Sequence, residues 1–297
     1  MNRSECLIML DRRLEIFIKV VEKGSVTAVA NELYISQPAV SKHIKSLENE
    51  LNVKLFHRDK RNGLILTDVG NDILLLAKQQ AEIDNRIYQR AYQENNFIGG
   101  KLRIASLPIL STVLLSEILP LYREKYPHVS IEIIEGTPRE LRQMVLNHTV
   151  DFALACSPFV DVDYDVLLHD HMVAACSPDV PHIPDEIDLL LGTDHLLFCR
   201  AGTETVLEEL SGRFRIHFDH ALMFDEVYTV IKMVEKGNGI GIINKFSLDA
   251  ISNNLIRLPL KPAINIDIGI EAIDLKDLTP VANEFYSMLR HSYQTHQ

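Results

Sequence analysis

Between Ser25 and Ile44 the chain reads Ser-Val-Thr-Ala-Val-Ala-Asn-Glu-Leu-Tyr-Ile-Ser-Gln-Pro-Ala-Val-Ser-Lys-His-Ile. Two short helical patterns are separated there by only a few residues, so the helices must meet through a tight turn. Ser25 follows Gly24 and is suited to cap the first helix, and Ser36 to cap the second, because a serine hydroxyl accepts from the free N–H groups of a first turn. Pro38 falls in that first turn, where its missing N–H costs nothing. Val26, Val29, Ala30 and Leu33 recur at helical spacing and form a core face, and the small Val29 and Ala30 let a second helix cross closely. Val40, Ile44, Leu47 and Leu51 are the expected buried stripe of the second helix, and Asn52 can adopt the left-handed conformation that ends it. The other face carries Gln37, Ser41, Lys42 and Lys45, hydrogen-bonding groups and cations of the kind that meet base edges and phosphates. A helix pair of this shape places its second helix in the major groove of DNA.

The continuation, Leu55-Phe-His-Arg-Asp-Lys-Arg-Asn-Gly-Leu-Ile-Leu-Thr67, sharpens that reading. His57, Arg58, Lys60 and Arg61 crowd one loop, Asn62-Gly63 is a hairpin turn signal, and Leu64 to Leu66 is the return strand. The result is a winged helix-turn-helix with a basic wing beside the second helix. The candidate DNA-contacting set is Ser25, Thr27, Ser36, Gln37, Pro38, Ser41, Lys42, Lys45 and Arg58.

This segment resembles the DNA-binding domain of LysR-type transcriptional regulators. The residues that carry the resemblance are Leu14 to Phe17, Gly24-Ser25, Leu33, Ser36-Gln-Pro-Ala-Val-Ser41, Ile44, Leu47-Glu48, Leu55-Phe56, Arg58, Leu66-Thr67 and Gly70. The sequence departs from the family at Val29, where alanine is usual, and at Asn52, where glycine is usual; both changes are mild.

Charge is divided unevenly. The chain of 297 residues has a net charge of −11, yet residues 1–66 hold eleven Lys/Arg against eight Asp/Glu, a net of +3 that leaves −14 for the rest. A mildly basic head on an acidic body lets the head approach DNA while the body stays solvated. No apolar run is long enough for a membrane span, and the first residues lack the features of a signal peptide, so a cytoplasmic location is expected. Cys6, Cys156, Cys176 and Cys199 are scattered and read as reduced structural thiols.

Thr67 is placed to cap a long helix reaching about Asn95. In it Val69, Ile73, Leu76, Gln80, Ile83 and Ile87 alternate by four and three, a heptad seam that favours pairing with a second copy over packing on its own domain. The resemblance implies the same use: the family dimerises through this helix, and homotetramers are expected from it as well. After the linker Phe97-Ile-Gly-Gly-Lys101 the pattern becomes strand, helix, strand, helix, strand, which implies a parallel sheet with helices on both faces. The chain crosses into a second lobe near Leu167 to Cys176. That lobe contains a strand at Leu196 to Cys199, a helix at Thr203 to Arg213, a helix at Val227 to Lys236 and a strand at Ile240 to Ile243. The chain returns near Ile264 to Ile273. The fold class is therefore α/β with an N-terminal winged helix-turn-helix. Its expected parts are a DNA-binding domain at 10–67, a linker helix at 68–95 and an effector domain at 101–297. Within the last, lobe I spans 101–171 and 268–297 and lobe II 172–267. The resemblance gives this body the two-lobed form of periplasmic binding proteins.

Open α/β sheets bind ligands beyond the carboxyl ends of their strands, where helix N-termini favour anions. That rule selects Ser106, Pro108 and Ser111 after the first strand, Thr137 after the second, and Arg200 and Thr203 in the second lobe; an organic anion is the expected effector. The serine and threonines have a plainer use as helix caps. Gly237-Asn-Gly-Ile-Gly241 follows a helix and precedes a strand, the reverse of a dinucleotide-binding order, and is a helix end. His169-Asp-His171 puts two histidines on one strand face without a third ligand, so no metal site is expected. Cys199 lies beside the candidate pocket, and a redox role for it competes with a structural one. No catalytic constellation and no cofactor motif stands out, so the chain reads as a regulator that binds double-stranded DNA and a small effector. The competing reading makes the two-lobed body a metabolite-binding or enzymatic module whose head contacts only protein.

Overall fold

The computed structural model describes residues 11–59, 63–94, 99–180, 182–192, 195–199, 211–212, 218 and 220–294. These form two compact units, Met1–Gly100 with Asn147–Thr149, and Lys101–Leu146 with Val150–Gln297.

In the first unit, α1 (Arg12–Lys23), α2 (Val26–Glu32) and α3 (Gln37–Leu51) precede a hairpin of β1 (Phe56–Asp59) and β2 (Gly63–Leu66), followed by α4 (Asp68–Glu94). The boundaries follow local chemistry. Gly24 ends α1 at φ 61, Ser25 Oγ accepts from Ala28 N to start α2, Ser36 Oγ accepts from Ala39 N to start α3, and Asn52 ends α3 at φ 53. Ile16, Phe17, Val20, Val29, Ala30, Val40, Ile44, Leu47 and Leu55 make the core. Leu51 departs from the expected buried stripe: at the last residue of α3 it is 42% exposed. Glu48 takes an inward place instead, accepting from Leu55 N at 3.0 Å and from Lys54 Nζ at 2.8 Å. Burial pushes its carboxyl up, but Lys54 and the Leu55 N–H outweigh burial and hold it below the usual range.

β1 and β2 are antiparallel, from Phe56↔Leu66 to Asp59↔Gly63. The wing tip, with Lys60, Arg61 and Asn62, lies outside the described residues. Thr67 caps α4, its Oγ accepting from Gly70 N at 2.9 Å and donating to Lys54 O at 2.6 Å. Gly70 is required there, since a Cβ would stand 2.3 Å from Leu55 O.

The second unit is built on one sheet in the order β4-β3-β5-β13-β6-β10-β8-β9, with β11 also on β6. The strands are β3 (Gly100–Ser106), β4 (Val129–Glu135), β5 (Phe152–Cys156), β6 (Asp163–Cys176), β7 (Ile187–Asp188), β8 (Leu196–Cys199), β9 (Leu222–Phe224), β10 (Ile240–Asn244), β11 (Ile256–Leu258), β12 (Leu260–Lys261) and β13 (Asn265–Ala272). The helices are α5 (Pro108–Leu110), a π-turn (Ser111–Leu115), α6 (Ser116–Lys125), α7 (Pro138–Leu146), α8 (Val227–Glu235), α9 (Lys245–Ile251) and α10 (Pro280–Gln294). β6 makes the unit two-lobed. Residues Asp163 to His171 pair with β13, and Met172 to Cys176 pair with β10 and β11. Pairing of β13 begins at Asn265↔His171, within the stretch Ile264 to Ile273 where the chain is expected to return.

The parallel pairing expected of the first lobe is seen between β3 and β5, and the return strand β13 makes the sheet mixed. β3 and β5 are parallel, as are β10, β8 and β9, but β13 is antiparallel to both β5 and β6. The reason is connectivity: β13 enters the first lobe from the second, at the end where β5 leaves. In the second lobe β6 alternates strictly. Met172, Ala174 and Cys176 pack with Phe198 and Ile242, while Val173 and Ala175 face α8 through Val230, Ile231 and Val234. In the first lobe Tyr122 of α6 and Phe285 of α10 are buried, their rings 4.9 Å apart. The helix expected at Thr203 to Arg213 falls almost wholly outside the described residues.

Candidate nucleic-acid interface and effector cleft

The outer face of α3 is assembled by its cap. Ser36 turns the chain so that Gln37, Pro38, Lys42 and Lys45 are exposed and Ser41 is half-buried at the helix surface. Pro38, Ser41, Lys42, Lys45, Ser46 and Asn49 line an open concavity of about 580 Å³. Most neighbouring cations are already engaged: Lys19 and Lys23 with Glu32, Arg13 with Asp11 and Glu50, and Lys54 with Glu48. Among the described residues, no carboxylate pairs with Lys42 or Lys45. The α3 face thus offers uncompensated positive charge, the condition for releasing counterions from a polyanion.

The other candidate DNA contacts have mixed fates. Ser25 and Ser36 spend their oxygens on caps. Thr27 is exposed on the first turn of α2, and its Oγ1 accepts from Gln37 Nε2 at 2.8 Å, a link that sequence spacing does not reveal. Arg58 lies in β1 opposite Leu64.

In the second unit, Ser106, Pro108 and Ser111 come together with the Thr137 loop at the carboxyl ends of β3 and β4, where Gly136 N donates to Ser106 O at 3.3 Å. Ser106 is fully buried and its hydroxyl donates to Leu107 O. Pro108 opens α5, and the adjacent Ile109 packs against the core of the second lobe. Ser111 Oγ is buried with no hydrogen-bond partner. Thr137 is the exception. It forms a capping box, its N–H and Oγ1 both donating to Glu140 Oε2 at 2.8 Å, so its side chain is already used. Arg200 and Thr203 lie outside the described residues.

Acidic groups from both lobes, unforeseen in the sequence, also approach one another. Burial pushes the Glu226 carboxyl up, and Glu135 at the end of β4 and adjacent Asp225 push it the same way. Glu135 and Glu226 belong to different lobes and carry like charge. Asp170 of β6 is equally unforeseen: its Oδ2 accepts from Asn244 Nδ2 at 3.0 Å and Phe246 N at 2.9 Å, tying the crossover strand to α9.

Cys156, Cys176 and Cys199 are free thiols. Burial pushes Cys156 up to about 12, so it stays protonated, and Cys199 is buried with its thiol donating to Asp225 O at 3.6 Å. His169 Nδ1 meets Asp267 Oδ1 at 2.7 Å across β6 and β13, and no metal-binding cluster occurs among the described residues. Gly237 to Gly241 closes α8, with Gly237 N donating to Val234 O.

Known proteins agree with this architecture. Residues 12–71 match the model of the bacterial regulatory helix-turn-helix protein, lysR family, and residues 96–294 match the LysR substrate binding domain. The chain therefore belongs to the LysR family of transcriptional regulators. It is 40% identical over 286 residues, 96% of this chain and 99% of the other, to YoaU of Bacillus subtilis (strain 168), an uncharacterised HTH-type transcriptional regulator. It is 29% identical over 94% of its length, and 96% of the relative's, to LrrA of Synechococcus elongatus, a probable HTH-type transcriptional regulator. Two solved structures share the fold. Full-length OxyR from Pseudomonas aeruginosa has a TM-score of 0.67 at 20% identity, covering 95% of this chain and 96% of that one. Full-length CbnR complexed with its target DNA has a TM-score of 0.61 at 20% identity, covering 95% and 99%. No helix among the described residues is long and apolar enough to cross a membrane.

Proposed function

We propose that this LysR-family regulator works in the cytoplasm as a homodimer, assembling further into a tetramer, and binds operator DNA through α3 and its wing under control of a small effector. The observation that carries the reading is the face of α3, where Gln37, Pro38, Lys42 and Lys45 stand exposed and the two lysines have no carboxylate partner among the described residues. Gln37, Pro38 and Ser41 meet base edges, while Lys42, Lys45 and Arg58 hold phosphates. Dimerisation is assigned to α4, whose Leu76, Ile83 and Ile87 are 62%, 56% and 46% exposed on one seam. Ile73 of that seam packs on the head instead.

The effector is assigned to the cleft beside Pro108 and Ser111, where a buried hydroxyl lacks a partner and the chain of one lobe touches the core of the other. An organic anion remains the proposed class, from the sequence reading of the strand ends; its expected cation, Arg200, lies outside the described residues. Closure of the lobes on it must differ in energy between two states to be felt at the DNA. The test is a footprint of the purified protein on DNA flanking its own gene at two salt concentrations. Protection of two half-sites on one face of the duplex, lost at high salt, is the expected result. Absence of protection at low salt, with and without a panel of carboxylates, overturns it in favour of a metabolite-binding module with a protein-docking head.

A further inference from the structure

Resting on the DNA-binding reading, the geometry points to a division of labour inside the α2–α3 turn: Thr27 is a positioning residue that sets the amide of Gln37, and so the base that Gln37 reads. Gln37 is the first residue of α3 and Thr27 lies in the first turn of α2. The Gln37 Nε2 to Thr27 Oγ1 distance is 2.8 Å, and both side chains are exposed. Each helix start is itself pinned by a serine cap, with Ala28 N to Ser25 Oγ and Ala39 N to Ser36 Oγ both 3.3 Å. The bond therefore joins two side chains whose backbones are held, and restrains the Gln37 torsions that the held backbone leaves free, the rotation of its amide among them.

Gln37 has two N–H donors and an oxygen that accepts; one N–H goes to Thr27. The second N–H and Oε1 are left, a donor–acceptor pair that matches the N7 and N6 groups of adenine in the major groove. Thr27 keeps its own hydroxyl proton, free to donate to a phosphate oxygen. In water this link contributes little, because solvent replaces it readily. At the DNA surface, with water displaced, an amide turned the wrong way leaves a polar group unpaired, and discrimination falls.

The test uses the full-length protein and selection from a random-sequence duplex library, followed by binding measured on the selected site and on all single-base variants of it. The variants are Thr27→Val, which keeps shape and removes the hydroxyl, Thr27→Ser, which restores it, and Gln37→Ala. The expected result is a site in which one A·T pair per half-site is discriminated roughly 10-fold, the scale of a bidentate base contact. That preference is lost in Thr27→Val and in Gln37→Ala, kept in Thr27→Ser, and no further reduced when Thr27→Val is combined with Gln37→Ala. If Thr27→Val weakens every duplex equally and lowers the salt dependence, Thr27 is a phosphate contact only and the proposal fails. It also fails if discrimination survives in Thr27→Val. Failure of the wild-type protein to select any duplex at low salt would instead remove the DNA-binding reading beneath it.

Discussion

Replacing Glu271 with glutamine is expected to stabilise the second unit, and to do so only above mildly acidic pH. Glu271 is 1% exposed in β13, its Oε1 has no hydrogen-bond partner, and Arg142 of α7 is the charge that acts on it. Burial pushes its carboxyl up to about 7 from an ordinary 4.5, with Arg142 pulling weakly the other way. The folded state therefore holds this proton more tightly than the unfolded chain. Below about pH 4.5 both states are protonated and nothing is lost. As pH rises toward 7 the unfolded chain ionises freely while the folded one resists, so stability falls, and above about 7 the loss is complete. The full cost is about 3 kcal/mol at 1.36 kcal/mol per pH unit, of which roughly 2.5 kcal/mol develops between pH 5 and pH 8. Glu271→Gln resembles the protonated acid at every pH and removes the slope. The assay is urea unfolding of the full-length wild type and variant, followed by circular dichroism at pH 5 and pH 8. The difference between the proteins should grow by about 2 kcal/mol or more at the higher pH, in favour of the variant. A difference equal at both pH values would show that the carboxyl titrates as an exposed one, and the argument from burial would fall.

Gly70→Ala should destabilise the head by about 1–3 kcal/mol in thermal unfolding, because its Cβ would meet Leu55 O at 2.3 Å and α4 would have to shift. Tyr34 is 96% exposed and held at φ 54, so Tyr34→Gly removes left-handed strain without losing burial. A gain of about 0.5–1 kcal/mol in head stability is expected, the strain relieved outweighing the added freedom of the unfolded chain; a loss would show that the tyrosine ring makes contacts of its own. Leu76→Glu with Ile83→Glu should lower the oligomeric state in sedimentation velocity while circular dichroism stays unchanged, and an oligomer of unchanged mass would exclude the α4 seam as an interface.

Much of the head was legible from residue order because its determinants are local. A capping serine, a first-turn proline, a left-handed asparagine and a glycine at a helix end act within a few residues of themselves. Ser25, Ser36, Pro38 and Asn52 accordingly stand where spacing puts them. The same holds for the extent of α4, whose helical repeat is visible along the chain, although Ile73 of that repeat packs on the head. Leu51 shows the limit: the stripe predicts its direction, but whether anything covers it is decided by other segments of the chain.

Tertiary structure alone decided the rest. In β13 Ile266, Ile268 and Ile270 alternate with Asp267, Gly269 and Glu271, so period-two reading assigns Glu271 to a polar face. Only the packing of α7 against that face buries it. The antiparallel course of β13, the passage of β6 between lobes, the bond from Gln37 to Thr27 and the like charges of Glu135 and Glu226 share this character. Each depends on which distant segments become neighbours, and the local pattern of an element specifies its faces without specifying what covers them.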